Sequence, residues 1–170
     1  MTIYNAPVRD MQFVLHELLN VEDAFSALPS QAETNRELID AVLREMAKFC
    51  EDVLAPLNAV GDEHGCLYEN GVVRTPPGFR EAWDQFVESG WPSLACHPEY
   101  NGQGLPKTLN FFVDEMVASS NMAFGLYAIL TFGAYQAVHA SASEDLKSTF
   151  LPRLATGDWT GTMCMTEPQS

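Results

Sequence analysis

Few residues in this chain have types and spacings that could do chemistry. Asp114 and Glu115 are paired carboxylates, the residue type that general acid/base catalysis needs. They are adjacent in a helical stretch, where neighbours point apart, and an exposed helix face is the plainer reading. His16, His64, His97 and His139 are scattered, and no serine or cysteine has a recognisable nucleophile setting. Asn101-Gly102-Gln103-Gly104 precedes a helix, as a phosphate cradle would, but has neither a strand before it nor a P-loop lysine. A tight turn needing positive φ explains it better. Cys50, Cys66, Cys96 and Cys164 form no C-x-x-C pair and have no histidine at ligand spacing, which argues against a zinc site or a disulfide framework. They read as buried thiols in a reducing, cytoplasmic setting.

The elements that would position these residues are helical. With 46% hydrophobic residues and 170 in all, the chain can bury a core of one domain. Nine basic against 23 acidic residues give a net charge of −14, which disfavours nucleic acid and anionic membrane surfaces. No apolar run reaches membrane-spanning length, and residues 1–10 show neither a signal nor a transit pattern.

Apolar spacing predicts a first helix over Asp10 to Leu19, with Met11, Val14, Leu15, Leu18 and Leu19 on one stripe. A loop over Glu22 to Gln31 follows. A second helix starts at a capping box, Thr34 with Glu37 or Ser30 with Glu33, and ends at Pro56. Asn70-Gly71 between Leu67-Tyr68 and Val72-Val73 predicts a hairpin. Thr75-Pro76 opens a helix that Gly90 closes, and Pro106 opens another. An apolar helix spans about Ala123 to Ala140, and one more runs from Glu144 to Leu154. Small residues (Gly125, Ala128, Gly133, Ala134) would let a flat or chain-like ligand approach the apolar helix, although a core role comes first. After Gly157 the residues turn β-leaning. The class is all-α with a small hairpin and one terminal strand.

Several stretches, in order, resemble the acyl-CoA dehydrogenase family across nearly the whole chain. Tyr4-Asn5-Ala6-Pro7-Val8-Arg9-Asp10-Met11 resembles the Y-x-A-P-x-R-D-M extension of the large bacterial branch that contains the 3-methylmercaptopropionyl-CoA dehydrogenases. Gly90-Trp91-Pro92 and Glu99-Tyr100-Asn101-Gly102-Gln103-Gly104-Leu105-Pro106 resemble its G-W and E-Y-G-G-x-G-L-P segments, with Asn101 replacing a glycine. Gly157-Asp158-Trp159-Thr160-Gly161-Thr162-Met163-Cys164-Met165-Thr166-Glu167-Pro168 resembles the signature G-x-W-x-G-T-M-x-L-T-E-P.

The resemblance implies an N-terminal extension over 1–33, the family's helical domain over 34–157, and the start of a β-domain over 158–170. It implies FAD as cofactor, an acyl-CoA substrate, an electron-transfer acceptor and a homo-oligomer. Met163, Met165 and Thr166 would contact the flavin, and Leu130, Thr131 and Gly133 would border the acyl chain. Glu167 would be structural. The catalytic glutamate, the G-S-D or G-T-D after T-E-P and the C-terminal bundle would lie outside these residues. The 170-residue piece alone is therefore expected to be inactive, with Thr160 to Ser170 poorly ordered or paired with a neighbouring chain. A stand-alone helical binding module without flavin is the rival from another class, and the sequence downstream of Ser170 would separate the two. A DNA-associated branch of the same fold is a third reading, against which the charge weighs.

Overall fold

A computed structural model describes residues 4–164, 166, 168 and 169. The chain begins with α1 (Val8–Gln12), which runs on through a wide π turn, Phe13–Leu18, closed by an i→i+5 bond from Leu19 N–H to the Val14 carbonyl at 2.9 Å. The wider turn rotates the apolar stripe. Met11 and Leu15 are buried as their spacing predicts, but Leu18 and Leu19 face solvent and His16 is buried instead.

His16 fastens this segment to the next long helix. Its Nδ1 lies 2.5 Å from Glu22 Oε1 and its Nε2 lies 3.0 Å from Asp40 Oδ1, while Gln12 Nε2 donates to the same Asp40 oxygen. Burial pushes both carboxyls up, but hydrogen bonds from Arg36 and His16 on Glu22, and from His16 and Gln12 on Asp40, hold each below its ordinary value. The expected loop after it contains α2 (Val21–Ser26), whose Val21 and Phe25 are buried one turn apart, and a 3₁₀ turn, Pro29–Gln31. Only two apolar residues carry α2, too few for periodicity to reveal it.

Helix α3 (Arg36–Phe49) starts one residue later than the capping-box pattern indicates. Asn35 is the cap, its side chain accepting from Leu38 N–H at 3.0 Å. Thr34 is buried and its hydroxyl donates to Gln31 Oε1. Asn35→Ala should therefore cost about 1 kcal/mol, read as a lower urea midpoint with an unchanged slope, whereas Thr34→Ser should keep the cap intact.

Pro56 does not end the helix. It lies in the first turn of α4 (Ala55–His64), where a missing N–H is tolerated, and the π turn Cys50–Leu54 before it accommodates the ring. The hairpin pairs β1 (Leu67–Glu69) with β2 (Val72–Arg74) in the register Leu67↔Arg74, Tyr68↔Val73 and Glu69↔Val72. Asn70 and Gly71 take φ of 53° and 80°, as the two-residue turn requires.

Helix α5 (Phe79–Glu88) begins after Pro76-Pro77 rather than at Thr75, because a residue preceding proline is pushed out of the helical region. Gly90 closes it at φ 78°, as expected. Helices α6 (Lys107–Ser120), α7 (Met122–Ser141) and α8 (Glu144–Thr156) complete the bundle. Asn121 makes the tight corner between α6 and α7. It is 1% exposed, accepts from Phe124 N–H at 3.0 Å and donates to the Leu54 carbonyl at 3.1 Å, so one side chain caps α7 and ties it to the π turn before α4.

The main core draws Met11, Leu15, Ile39, Leu43, Met46, Phe86, Met116 and Phe124 from α1, the first π turn, α3, α5, α6 and α7. A smaller one joins Cys96 and Tyr100 to Tyr135 of α7 and Leu151, Leu154 and Ala155 of α8. Among the described residues, 159–164 join no sheet, and no helix is long and apolar enough to cross a membrane.

Candidate functional site

Helix α7 carries no aspartate, glutamate, lysine or arginine over its 20 residues. Part of it is buried through Phe124, Thr131 and Tyr135. The opposite face presents Met122, Leu126 and Ile129 to solvent, with Leu130 half-buried beside them and Gly133 exposed with open space where a Cβ would stand. A long apolar face of this kind is unusual on a helix whose other side already packs in a core.

The segment after α8 is laid along this helix. Trp159 N–H donates to the Arg153 carbonyl at 3.1 Å, its indole lies 4.9 Å from the Arg153 guanidinium, and Phe150 flanks it at 5.8 Å between ring centroids. Two residues on, Gly161 N–H donates to Thr131 Oγ1 at 3.1 Å, and that hydroxyl donates in turn to the Tyr127 carbonyl at 2.6 Å. Thr162, Met163, Cys164 and Thr166 then run exposed, outside any strand ladder. A cavity of about 600 Å³ opens nearby, lined by Val73, Arg74, Phe79, Trp83, Tyr127 and Thr160. Burial, with Cys66 close by, pushes the Tyr127 phenol up.

The structure carries three of the sequence-expected site residues, Leu130, Thr131 and Gly133, on α7, and the segment that leaves α8 meets this helix at Gly161, two residues before the exposed Met163. They do not share one orientation. Leu130 and Gly133 belong to the open face, whereas Thr131 is 3% exposed and its hydroxyl is engaged by two backbone groups. Thr166 is exposed, and Met165 and Glu167 lie outside the described residues.

Other candidates resolve differently. From Asn101 to Leu105 five successive N–H groups donate to the carbonyls of Pro98, His97, Ser93, Cys96 and Leu94, so the glycine loop has none to offer an anion. Asn101 and Gly104 hold φ of 65° and 72°, which bears out the tight turn. Cys50 and Cys96 are buried, their thiols pushed by desolvation to about 11 and about 12, but Cys66 and Cys164 are exposed rather than buried. Asp114 also departs from a fully exposed helix face. It is partly buried, and desolvation, opposed only by the Asn110 side chain donating at 2.8 Å, raises its carboxyl to about 6. His97 and His139 approach within 5.7 Å beside Tyr100 and Tyr135, a grouping that their spacing in sequence does not reveal.

The described residues thus form a helical bundle with an uncharged, partly open α7 and a non-ladder segment that meets it at Gly161. Residues 36–158 match the family model described as acyl-CoA dehydrogenase, N-terminal domain. The chain belongs to the acyl-CoA dehydrogenase family. It is 42% identical over 167 residues to the 3-methylmercaptopropionyl-CoA dehydrogenase of Ruegeria pomeroyi, covering 98% of this chain and 28% of that protein. It is 32% identical to a butyryl-CoA dehydrogenase of Syntrophomonas wolfei, covering 97% and 27%, and 26% identical to the mitochondrial isovaleryl-CoA dehydrogenase of Bos taurus, covering 91% and 33%. The chain therefore spans between a quarter and a third of the length of these relatives.

Proposed function

We propose that this chain is the N-terminal part of an FAD-dependent acyl-CoA dehydrogenase that converts an acyl-CoA thioester to the enoyl-CoA. The observation that carries the reading is that the segment bearing the exposed residues Thr162, Met163 and Cys164 meets the uncharged, open α7 at Gly161. Leu126, Ile129, Leu130 and Gly133 form a wall without charge, and an acyl chain laid on it leaves water at about 25 cal/mol per Å² of apolar surface. The unpaired backbone at 162–164 offers the donors and acceptors that the polar edge of a flavin ring requires, with Met163 and Thr166 as side-chain contacts, and Met165 is assigned to the same contact by resemblance.

When bound, FAD supplies hydride acceptance from the acyl β-carbon. The residues here bind and orient. The α7 wall would exclude water from the acyl chain, and the segment after Trp159 would supply backbone N–H groups to stabilise negative charge on the ring. No carboxylate of this chain is assigned the α-proton abstraction. That base belongs to the remainder of the enzyme, as does the docking of an electron-transfer acceptor and any assembly of subunits. Four free thiols fit a reducing, cytoplasmic setting.

The test is the full-length protein that carries these residues. Purified, it should show a flavin absorption band that bleaches when butyryl-CoA or 3-methylmercaptopropionyl-CoA is added without oxygen. A colourless protein that takes up no FAD would sink the proposal in favour of a helical binding module.

A further inference from the structure

We infer that Thr131 and Gly161 form a clamp that positions the extended segment for its ligand, so that Thr131 acts as a positioning residue rather than as part of the acyl wall. The inference rests on the reading of 162–166 as the flavin-facing segment. Thr131 is buried, and its hydroxyl both accepts from Gly161 N–H and donates to the Tyr127 carbonyl, which leaves it one lone pair and no proton. A side chain so engaged has little to offer an acyl chain. It has the geometry of a peg that joins a helix to the strand-like chain crossing it.

Gly161 supplies the other half. Its φ is not positive, so the glycine is not there for backbone freedom. A Cβ at this position would collide with the Ala134 Cβ and press on the Leu130 carbonyl and Thr131 Cα, at 3.2 and 3.3 Å. Only a residue without a side chain can bring its N–H within 3.1 Å of the Thr131 hydroxyl. Trp159 is the second anchor, fixed to α8 through Arg153 and Phe150. Two anchors two residues apart set both the position and the direction of the chain that leaves them. The tryptophan and the glycine of the stretch Gly157-Asp158-Trp159-Thr160-Gly161-Thr162-Met163 thereby acquire separate physical roles: one grips α8, the other lies flat on α7.

The experiment uses the full-length protein with Thr131→Val, Thr131→Ser, Gly161→Ala and the pair Gly161→Ala with Ala134→Gly. Valine keeps the shape of threonine and removes both hydrogen bonds, while serine keeps the hydroxyl. Amide hydrogen exchange over 159–164 should speed up about tenfold in Thr131→Val, the equivalent of one lost hydrogen bond, with exchange in α8 unchanged. FAD affinity should fall by about the same factor, and Thr131→Ser should restore both. Gly161→Ala should reproduce the valine phenotype, and Ala134→Gly should relieve it in part. Unchanged exchange over 159–164 in both Thr131→Val and Gly161→Ala would overturn the clamp. Faster exchange with unaltered FAD affinity would uphold the clamp and overturn the flavin-facing reading of the segment instead.

Discussion

Replacing Phe124 by alanine should destabilise the protein by about 3–5 kcal/mol, the largest effect expected of any single substitution in the main core. Phe124 is 0% exposed and stands where four other aromatic rings converge. Its ring centroid lies 5.6 Å from Phe86, 6.0 Å from Trp83, 6.1 Å from Tyr127 and 6.5 Å from Phe49, with edge-to-face geometry to Phe86, Tyr127 and Phe49. Truncation removes the transfer free energy of the ring and leaves a cavity whose walls are large, rigid and unable to collapse. It also removes edge-to-face contacts worth about 0.5–1.5 kcal/mol each beyond buried area. Phe111, on α6 and 70% exposed, provides the control: Phe111→Ala should move stability by less than about 0.5 kcal/mol. Urea unfolding of both variants separates these values. A cost below about 1 kcal/mol for Phe124→Ala would mean that α7 is not packed through this ring, and the proposed acyl wall would lose the support that holds it in place.

The elements that the sequence made legible are those specified by local chemistry. Asn70-Gly71 dictates its own turn, Gly90 stops a helix at positive φ, and the repeat of Ile39, Leu43, Met46 and Cys50 marks α3 whatever surrounds it. The misreadings share a different cause. A proline inside a helical pattern ordinarily stops the helix, but at Pro56 a wide turn on its N-terminal side lets the chain continue. Leu18 and Leu19 fit a regular stripe and leave it only because the first π turn shifts the register. Interactions between distant residues left no local trace. His16 meets Asp40 across 24 residues, Gly161 meets Thr131 across 30, and Asn121 meets Leu54 across 67. The resemblance implies ligand contacts on α7 and on the T-E-P stretch. It could not distinguish Leu130 and Gly133, on the open face, from Thr131, turned inward, because that difference comes from how the chain after Trp159 lies on the helix.

The second large effect concerns Asp114, and its sign depends on pH. Its carboxyl titrates at about 6 in the folded protein against an ordinary value of 3.8, because desolvation outweighs the hydrogen bond from Asn110. A group whose folded value is raised favours the fold fully below the unfolded value, and that contribution is lost as pH rises through the folded one. The loss begins near pH 4 and is complete a little above pH 6. Beyond that the buried carboxylate costs about 2–3 kcal/mol, two pH units at about 1.4 kcal/mol each being the upper end. Asp114→Asn removes the charge, keeps the shape and keeps an oxygen to accept from Asn110 Nδ2. The variant should therefore be more stable than the wild type by about 2 kcal/mol at pH 8 and nearly equal to it at pH 4, with the gap opening between those values. Urea unfolding at pH 4, 6 and 8 measures this directly. A difference independent of pH would show that the side chain ionises as freely in the fold as in water. A variant less stable than the wild type at pH 8 would require a partner that holds the ionised form, and the burial argument would fail with it.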